Sequence, residues 1–320
     1  MDEFSLIRRY FAQGPVGPDV VLGIGDDCAL LQVPPGQCLA VSLDTLVAGV
    51  HFPVDAKPYD IASRAICTAL SDLAAMGARP LWITLGLTMP SADEPWMRDF
   101  CAGLFATAVQ YQVALVGGDT TRGPLTISVQ VHGAVAPQRA LRRSGAKPGD
   151  SIYVTGTLGD GAAALALIQQ EFEVTPAARD YLLERFYRPS PQLAAGQALA
   201  GLASACIDVS DGLCADLGHL CTASGVGARV DADRLPIAAV WREVASAQQR
   251  IHWALSGGDD YQLCFTVPAH RLPEVEALQQ QGIIQATAIG TITHALGVVV
   301  TQAGEPFALA HTGYNHFNAC

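Results

Sequence analysis

The chain has 320 residues, half of them hydrophobic and 15% charged, with a formal net charge of −11 at pH 7. This length favours two domains, each able to bury its own core. The acidic charge argues against nucleic acid as the main partner, because binding to a phosphate backbone requires a basic surface. It does not exclude a small phosphorylated substrate, since bound metal supplies positive charge locally.

Two further features predict a cytoplasmic protein. No uninterrupted apolar run reaches the ~18 residues of a membrane helix, and the first residues lack the basic and apolar regions of a secretion signal. The nine cysteines form no Cys-x-x-Cys pair and no zinc-like spacing with histidine. Scattered cysteines of this kind are typical of reduced core thiols.

The first half of the chain alternates predicted strands and helices. An apolar stripe from Ile61 to Met76 predicts a helix that ends before Gly77 and carries Asp72 in its last turn. Ser91–Glu94 has the pattern of a capping box ahead of a second helix. Alternation of apolar and polar residues predicts three strands, over Cys38–Asp44, 81–88 and 125–132.

A basic segment, Arg139–Asp150, contains two glycines and a proline and reads as a domain boundary. We therefore expect an amino-terminal domain over residues 1–138 and a carboxy-terminal domain over residues 139–320. In the second domain, an Ala-rich helix is predicted to open at Thr157–Gly161. Apolar runs predict strands over 151–156, 206–209, 261–267, 283–289 and 298–301. Two α/β domains are the simplest architecture for this pattern.

The most distinctive motifs are short, glycine-flanked aspartate clusters, most of which follow apolar, strand-like runs. They contain Asp26, Asp27, Asp44, Asp72, Asp119, Asp208, Asp211, Asp259 and Asp260. Carboxylates at strand ends would converge where open α/β sheets bind ligands. Like charges about 4 Å apart repel by roughly 4 kcal/mol at an effective dielectric of about 20, so a cation is required. Hard oxygen ligands favour Mg²⁺ or Mn²⁺ bridged to phosphate, which predicts a metal-dependent phosphate enzyme.

Each cluster taken alone also fits an ordinary turn, because Gly-Asp and Asp-Gly are common turn pairs. Asp211 would then be a helix N-cap and Asp72 a solvated helix residue. Arg143, in a chain with only two lysines, is either a phosphate-binding cation or a surface charge. His51 is either a pocket residue or a satisfied structural histidine. Neither a Walker-type P-loop nor the protein-kinase motifs are present.

The aromatic residues near the carboxy terminus also allow two interpretations. Tyr314 and Phe317 fit stacking on a flat cationic ring, and they fit aromatic anchors for the tail.

Taken together, the motifs resemble bacterial thiamine-monophosphate kinase, of the aminoimidazole ribonucleotide synthetase-like superfamily. The resemblance is collinear over almost the whole chain, and the opening cluster and Gly-Gly-Asp-Thr-Thr-Arg-Gly are its most specific strings. The matching segments are Gly23–Ala29, Ser42–Phe52, Leu70–Ala78, Gly117–Gly123, Arg143–Asp150, Asp208–Gly212, Ser256–Tyr261 and Gly313–Phe317.

The resemblance implies direct in-line transfer of the γ-phosphoryl group from ATP to thiamine monophosphate, with several Mg²⁺ ions. It implies a two-domain α/β fold of the α+β type, an amino-terminal sheet that pairs in a homodimer, and a carboxy-terminal α/β domain over the nucleotide. The implied metal ligands are Asp27, Ser42, Asp44, Asp72, Asp119, Asp208 and Asp211, with Asp119, Asp44 and Asp72 catalytic through the metal. The implied nucleotide contacts are Gly118, Asp119, Arg143 and Ser210, and the implied substrate contacts are His51, Asp259 and Tyr314.

Two residues depart from related patterns. Asp259 stands where the family usually has Glu, one methylene longer. Cys320 is terminal, as in the hydrogenase-maturation branch of the superfamily, but that branch ends in Pro-Arg-Ile-Cys and this chain in Phe-Asn-Ala-Cys, so we interpret Cys320 as incidental. Two other functions remain open from sequence: a cyclo-ligase-type enzyme of the superfamily, and a non-catalytic metal- or nucleotide-binding protein.

Overall fold

The structure is a computed structural model that describes residues 3–12, 14, 17–309, 311 and 313–314. Asn315, His316 and Phe317 of the last motif, together with Cys320, lie outside the described residues. The chain divides into two compact units. The first contains Met1–Leu73 and Ala78–Pro137, and the second contains Ala74–Gly77 and Gln138–Cys320.

The first unit is built on a mixed four-stranded sheet with the order β3-β6-β4-β5, in which only β4 and β5 are parallel. A separate antiparallel pair is formed by β1 and β2. The helices are α1 (Glu3–Leu6), α2 (Pro58–Ala75) and α3 (Glu94–Gln110), and a π-helical turn follows α1 over Ile7–Phe11. The strands are β1 (Val20–Leu22), β2 (Leu30–Leu31), β3 (Cys38–Val47), β4 (Arg79–Met89), β5 (Ala114–Arg122) and β6 (Thr126–Val135).

Period-two alternation explains this sheet. Ile83, Leu85 and Leu87 of β4 are buried, whereas the residues between them are only partly buried, so one side of the sheet faces a core. The three predicted strands and the first predicted helix are confirmed, and Gly77 adopts a left-handed backbone (φ 65°) just after α2. Strand β3 runs three residues further than predicted, because its ladder with β6 continues to Val47.

The predicted capping box at Ser91 is wrong. Helix α3 begins at Glu94, and its N-cap is Asp93, whose carboxylate accepts the Trp96 N–H at 3.0 Å. With Ser91 as the N-cap, Pro95 would occupy the position whose N–H makes the first intrahelical hydrogen bond, and proline has no N–H. With the N-cap two residues later, at Asp93, Pro95 lies in the first turn of the helix, where proline is tolerated.

The second unit contains a seven-stranded sheet with the order β13-β12-β9-β11-β7-β10-β8. Its helices are α4 (Asp160–Ile168), α5 (Pro176–Tyr187), α6 (Leu193–Leu199), α7 (Leu213–Ser224), α8 (Ala247–Ser256) and α9 (Leu272–Gln280). Its strands are β7 (Ser151–Thr155), β8 (Ala205–Val209), β9 (Gly227–Asp231), β10 (Gln262–Val267), β11 (Ala286–Thr293), β12 (Gly297–Gln302) and β13 (Glu305–Pro306).

A large apolar core joins this sheet to α7 and α8, and a smaller aromatic core lies around α4 and α5. Strands β8 and β10 are buried along their whole length, and their sequences are mainly apolar, with Asp208, Gln262 and Thr266 as the buried polar exceptions. Within the described residues, no helix is both long enough and apolar enough to cross a membrane.

Candidate active site

The first unit brings a hydroxyl and two carboxylates together. Ser42 and Asp44 are two residues apart on β3, so their side chains point to the same face of the strand, towards the last turn of α2. The Ser42 hydroxyl donates to Oδ2 of Asp72 at 2.5 Å. Burial, with a smaller contribution from the charge of Asp72, raises the pKa of Asp44 to about 6. Asp72 is therefore not a solvated helix residue.

This pair suits a hard divalent cation. The donors are oxygens, and the raised pKa of Asp44 means that ionising both carboxylates is unfavourable without a compensating positive charge. Yet in the part of the chain that the structure describes, no three Asp, Glu, His or Cys side chains form a set that could hold a metal ion. The two carboxylates are thus the nucleus of a site to which other ligands would have to be added.

Asp27 and Asp119 do not complete a three-carboxylate set with Asp44 and Asp72. Both are exposed, and Asp119 lies within β5 in one cross-strand row with Gly86, Ser128 and Thr45. Asp44 belongs to the adjacent row of the sheet, and adjacent rows point to opposite faces.

The expectation that the aspartates sit just beyond strand ends therefore needs correction. Asp44, Asp119 and Asp208 all lie inside strands. For Asp44 and Asp119 the reason is that the ladder of hydrogen bonds continues past the apolar run, whereas Asp208 lies within the strand predicted over 206–209. Asp208, on β8, is buried, and it is paired with Leu263 of β10.

Gly118 is required by a close approach of two strands. A Cβ atom on this residue would lie 1.9 Å from the carbonyl oxygen of Leu85 on the neighbouring parallel strand β4. No side chain fits at that distance, so the backbone beside Asp119 is bare. The close approach of β4 therefore accounts by itself for a glycine at this position.

His51 is held by the turn that follows β3. Its Nδ1 accepts the N–H of Val47 at 3.0 Å, and its carbonyl accepts from Nε of the buried Arg64 at 3.1 Å. With Nδ1 accepting, a neutral His51 carries its proton on Nε2. The histidine is thus structurally satisfied on one ring nitrogen and is a hydrogen-bond donor on the other.

In the second unit, a buried carboxylate organises the Ser210–Gly212 turn. Oδ2 of Asp216 accepts the backbone N–H groups of Ser210, Asp211 and Gly212 at 3.0, 3.1 and 3.2 Å. Burial first, and the charge of Asp211 second, raise the pKa of Asp216 to about 7 against the opposing effect of these donors. Asp211 is not the N-cap of α7, because that position is Gly212 and has no side-chain cap.

Three loops meet at this turn. The Asp259 N–H donates to the Ser210 carbonyl at 2.9 Å, and the Tyr314 N–H donates to the Asp211 carbonyl at 3.0 Å. The phenol of Tyr261 donates to Oδ1 of Asp259 at 2.8 Å. The structure therefore collects four of the sequence-predicted residues of this unit, Ser210, Asp211, Asp259 and Tyr314, in one place.

Arg143 is exposed, and its backbone is fixed by a serine that sequence reasoning missed. The hydroxyl of Ser224, at the end of α7, donates to the Arg143 carbonyl at 3.0 Å. The same oxygen accepts the N–H groups of Gly145 and Ala146 at 3.1 and 3.2 Å. The segment that presents Arg143 is therefore held although it contains no helix or strand.

A second buried carboxylate, Asp260, closes the start of α4. Its Oδ2 accepts the Gly159 N–H at 2.7 Å and its Oδ1 accepts the Gly161 N–H at 3.1 Å. The neighbouring carboxylate of Asp160 is ion-paired with Arg185 at 3.1 Å. Burial first, and the charge of Asp160 second, raise the pKa of Asp260 to about 8.

Asp260→Asn is expected to change how stability depends on pH. An acid whose pKa is raised by folding holds a proton in the native state, so native stability falls as pH rises from about 4 towards 8, by up to about 1.4 kcal/mol per pH unit. At pH 5 the variant should be the less stable protein, because an amide nitrogen cannot accept the Gly159 or Gly161 N–H. The difference in thermal midpoint between wild type and Asp260→Asn should narrow as the pH rises towards 8.

The control for this measurement is Asp180→Asn, an exposed charge on α5. A difference in midpoint between wild type and Asp260→Asn that stays constant from pH 5 to pH 8 would contradict a protonated Asp260.

Comparison with known proteins places this geometry in a family. Residues 25–135 match the family model described as AIR synthase related protein, N-terminal domain, and residues 147–302 match AIR synthase related protein, C-terminal domain. Thiamine-monophosphate kinase of Escherichia coli strain K12 is 50% identical over 318 residues, which cover 98% of each chain. This chain belongs to the thiamine-monophosphate kinase family. The predicted aminoimidazole ribonucleotide synthetase-like fold is confirmed.

Solved structures of the family are similar over more than nine tenths of the chain. The thiamine-monophosphate kinase of Stenotrophomonas maltophilia K279a is 47% identical, with a TM-score of 0.87 over 95% of this chain and 98% of that one. AaThiL, complexed with AMPPCP and TMP, is 31% identical, with a TM-score of 0.78 over 92% of each chain.

Proposed function

We propose that this chain transfers the γ-phosphoryl group of ATP to thiamine monophosphate and releases ADP and thiamine diphosphate. The observation that carries the proposal is the similarity to AaThiL, whose structure holds AMPPCP and TMP and matches 92% of this chain. AMPPCP is an analogue of ATP, so the two ligands stand for the donor and the acceptor of this reaction. The Escherichia coli relative at 50% identity carries the same activity in its name.

Mg²⁺ ions are the cofactors that we assign to this reaction. Bound Mg²⁺ would neutralise the phosphate oxygens and align donor and acceptor. The support within the chain is the Asp44–Asp72 pair, whose mutual repulsion a cation would relieve. The side chains assigned to the ions are Asp27, Ser42, Asp44, Asp72, Asp119, Asp208 and Asp211, and Asp119, on the opposite face of the sheet from Asp44, would hold a different ion from the Asp44–Asp72 pair.

The remaining roles belong to groups that bind and orient. For ATP these are Gly118, Asp119, Arg143 and Ser210. For thiamine monophosphate they are His51, Asp259 and Tyr314. Arg143 offers forked donors to phosphate, His51 offers its Nε2 proton, and the Asp259 carboxylate attracts the cationic thiazolium or accepts from the aminopyrimidine. The ring of Tyr314 offers a π face to the same cation.

Direct in-line transfer needs no protein nucleophile and no strong general base. The acceptor phosphate of thiamine monophosphate is already ionised near neutral pH and is itself the attacking group. The chain therefore has to hold two polyanions in line and exclude other geometries, which is the task of the residues named above.

One experiment tests both the reaction and its route. The full chain is incubated with γ-labelled ATP, Mg²⁺ and thiamine monophosphate, and nucleotides, thiamine phosphates and protein are then separated. We expect label in thiamine diphosphate, none on the isolated protein, and none in product when Mg²⁺ or thiamine monophosphate is omitted. Labelled protein that passes its label to thiamine monophosphate would overturn direct transfer.

The same assay separates the two other functions. A cyclo-ligase of this superfamily would release ADP with a ribonucleotide amide and would not need thiamine monophosphate. A non-catalytic binding protein would release no ADP with either compound. Formation of thiamine diphosphate contradicts both.

A homodimer is the assembly that we assign to this chain, with dimerisation and metal and ATP binding in the amino-terminal domain, residues 1–138. Strand β3 is an edge of the four-stranded sheet, and its alternate residues Leu39, Val41 and Leu43 are 45%, 49% and 58% exposed on one face. A second copy of the same face would bury them. Sedimentation velocity should give the mass of two 33.6 kDa chains, and Leu43→Asp should give one. Leu296→Asp, at an exposed site of the second unit, is the control.

The cytoplasm is the compartment that we assign. None of the eight cysteines among the described residues forms a disulfide, and six of them are buried. Thiols that are not joined in disulfides are typical of a reducing compartment, and the cytoplasm supplies ATP and Mg²⁺ as well.

A further inference from the structure

The loop between α8 and β10 contains two residues with an unusual backbone. Asp259 (φ 68°) and Tyr261 (φ 50°) both adopt the left-handed conformation, which is disfavoured for residues with a Cβ atom. Asp260 lies between them and is fully buried. Such a conformation persists only where the surrounding structure holds it, and it is concentrated at functional sites.

Contacts on both sides of the loop hold it in place. The carboxylate of Asp260 accepts two N–H groups at the start of α4, and its carbonyl accepts from Arg185 at 3.3 Å. A Cβ atom on Gly161 would lie only 2.7 Å from Cβ of Asp259, so the loop rests directly on the helix. On the other side, the Asp259 N–H donates to the Ser210 carbonyl, in the turn after β8, at 2.9 Å, and the Tyr261 N–H donates to the Val209 carbonyl of β8 at 2.8 Å.

The paired left-handed residues turn the Tyr261 side chain back onto Asp259. The phenol hydroxyl donates to Oδ1 of Asp259 at 2.8 Å, and the tyrosine is 8% exposed. A carboxylate on a single methylene otherwise rotates freely about its last torsion. A hydrogen bond from a buried phenol fixes that rotation.

We propose that Tyr261 is a positioning residue for thiamine monophosphate, which acts by holding the Asp259 carboxylate in the orientation that meets the substrate. This inference rests on the proposed function and on the substrate role of Asp259. It also accounts for the shorter side chain at position 259, since the hydroxyl anchors Asp where it stands.

The test is Tyr261→Phe in the full chain, a change that removes one oxygen. The KM for thiamine monophosphate is expected to rise about tenfold, which is the effect of one hydrogen bond to a charged group. The kcat and the KM for ATP should stay within about twofold of wild type, and the thermal midpoint should be unchanged. Tyr153→Phe, which removes a phenol oxygen from β7 of the same unit, is the matched control and should leave all four quantities unchanged.

A double-mutant cycle with Asp259→Ala completes the test. If Tyr261 acts only through Asp259, the double variant should have the same KM for thiamine monophosphate as Asp259→Ala alone. Additive effects of the two changes would overturn the inference. A Tyr261→Phe variant with wild-type KM beside an impaired Asp259→Ala would overturn it and leave the proposed function standing. An Asp259→Ala variant with wild-type KM would remove both the substrate role of Asp259 and the inference that rests on it.

Discussion

Asp72→Asn is expected to lower kcat by about a thousandfold or more and to leave the fold intact. The substitution removes one of the two negative charges that create the cation site, and metal ions contribute several kcal/mol of charge stabilisation to phosphoryl transfer. The amide oxygen still accepts from the Ser42 hydroxyl, so the contact between β3 and α2 is retained. The measurement is kcat at saturating Mg²⁺, together with the thermal midpoint in EDTA.

The midpoint gives this prediction a second readout. Without metal, Asp72→Asn removes the charge that helps raise the pKa of Asp44, so the midpoint in EDTA should equal or exceed that of wild type. Asp119→Asn should also abolish turnover but should not raise the midpoint, because Asp119 is exposed on β5. The exposed Asp180→Asn is the charge control. Wild-type kcat in the Asp72 variant would contradict the metal assignment.

Asp259→Ala is expected to raise the KM for thiamine monophosphate about 10- to 100-fold, with the KM for ATP within about twofold of wild type. The range is that of a lost hydrogen bond to a charged group, about 1.5–3 kcal/mol. Steady-state kinetics with each substrate varied in turn gives the KM for thiamine monophosphate and the KM for ATP separately.

Asp259→Glu is the conservative partner of this variant, and we expect it to be tolerated because it keeps the carboxylate, and because the resemblance to the family implies a Glu at this position. An effect of Asp259→Ala confined to ATP would move Asp259 out of the substrate site. Unchanged kinetics in that variant would return the residue to a purely structural turn.

Much of the fold follows from local pattern. Alternation identified strands β4 and β6, and the apolar stripe of α2 gave both the helix and its end near Gly77. Strand lengths were less accurate, because β3 continues through polar residues whose pairing is set by the neighbouring strand. A local pattern contains no information about that partner.

The residues of the candidate site, like the fold, could be predicted only in part from the sequence. Aspartates beside glycines were visible in the sequence, whereas the groups that hold them were not. Asp216 was visible only as an acidic residue in the first turn of a helix, a signal that a capping analysis could have used. Ser224 and Asp260 hydrogen-bond to backbone atoms of segments distant in sequence. Tyr261 hydrogen-bonds to the Asp259 side chain within a strained turn. These contacts depend on tertiary folding, so a local sequence pattern does not predict them.

The carboxylates of Asp216 and Asp260 have a consequence for how this protein handles phosphate. Backbone N–H groups at a helix start are a common cradle for phosphate, and in the second unit two such starts, of α7 and α4, are already occupied by a buried carboxyl group that belongs to the chain. A nucleotide phosphate would have to evict a buried aspartate to use either one. The free energy of nucleotide binding must then come mainly from cations rather than from backbone amides, so the affinity for ATP should follow the concentration of free Mg²⁺ in the cell.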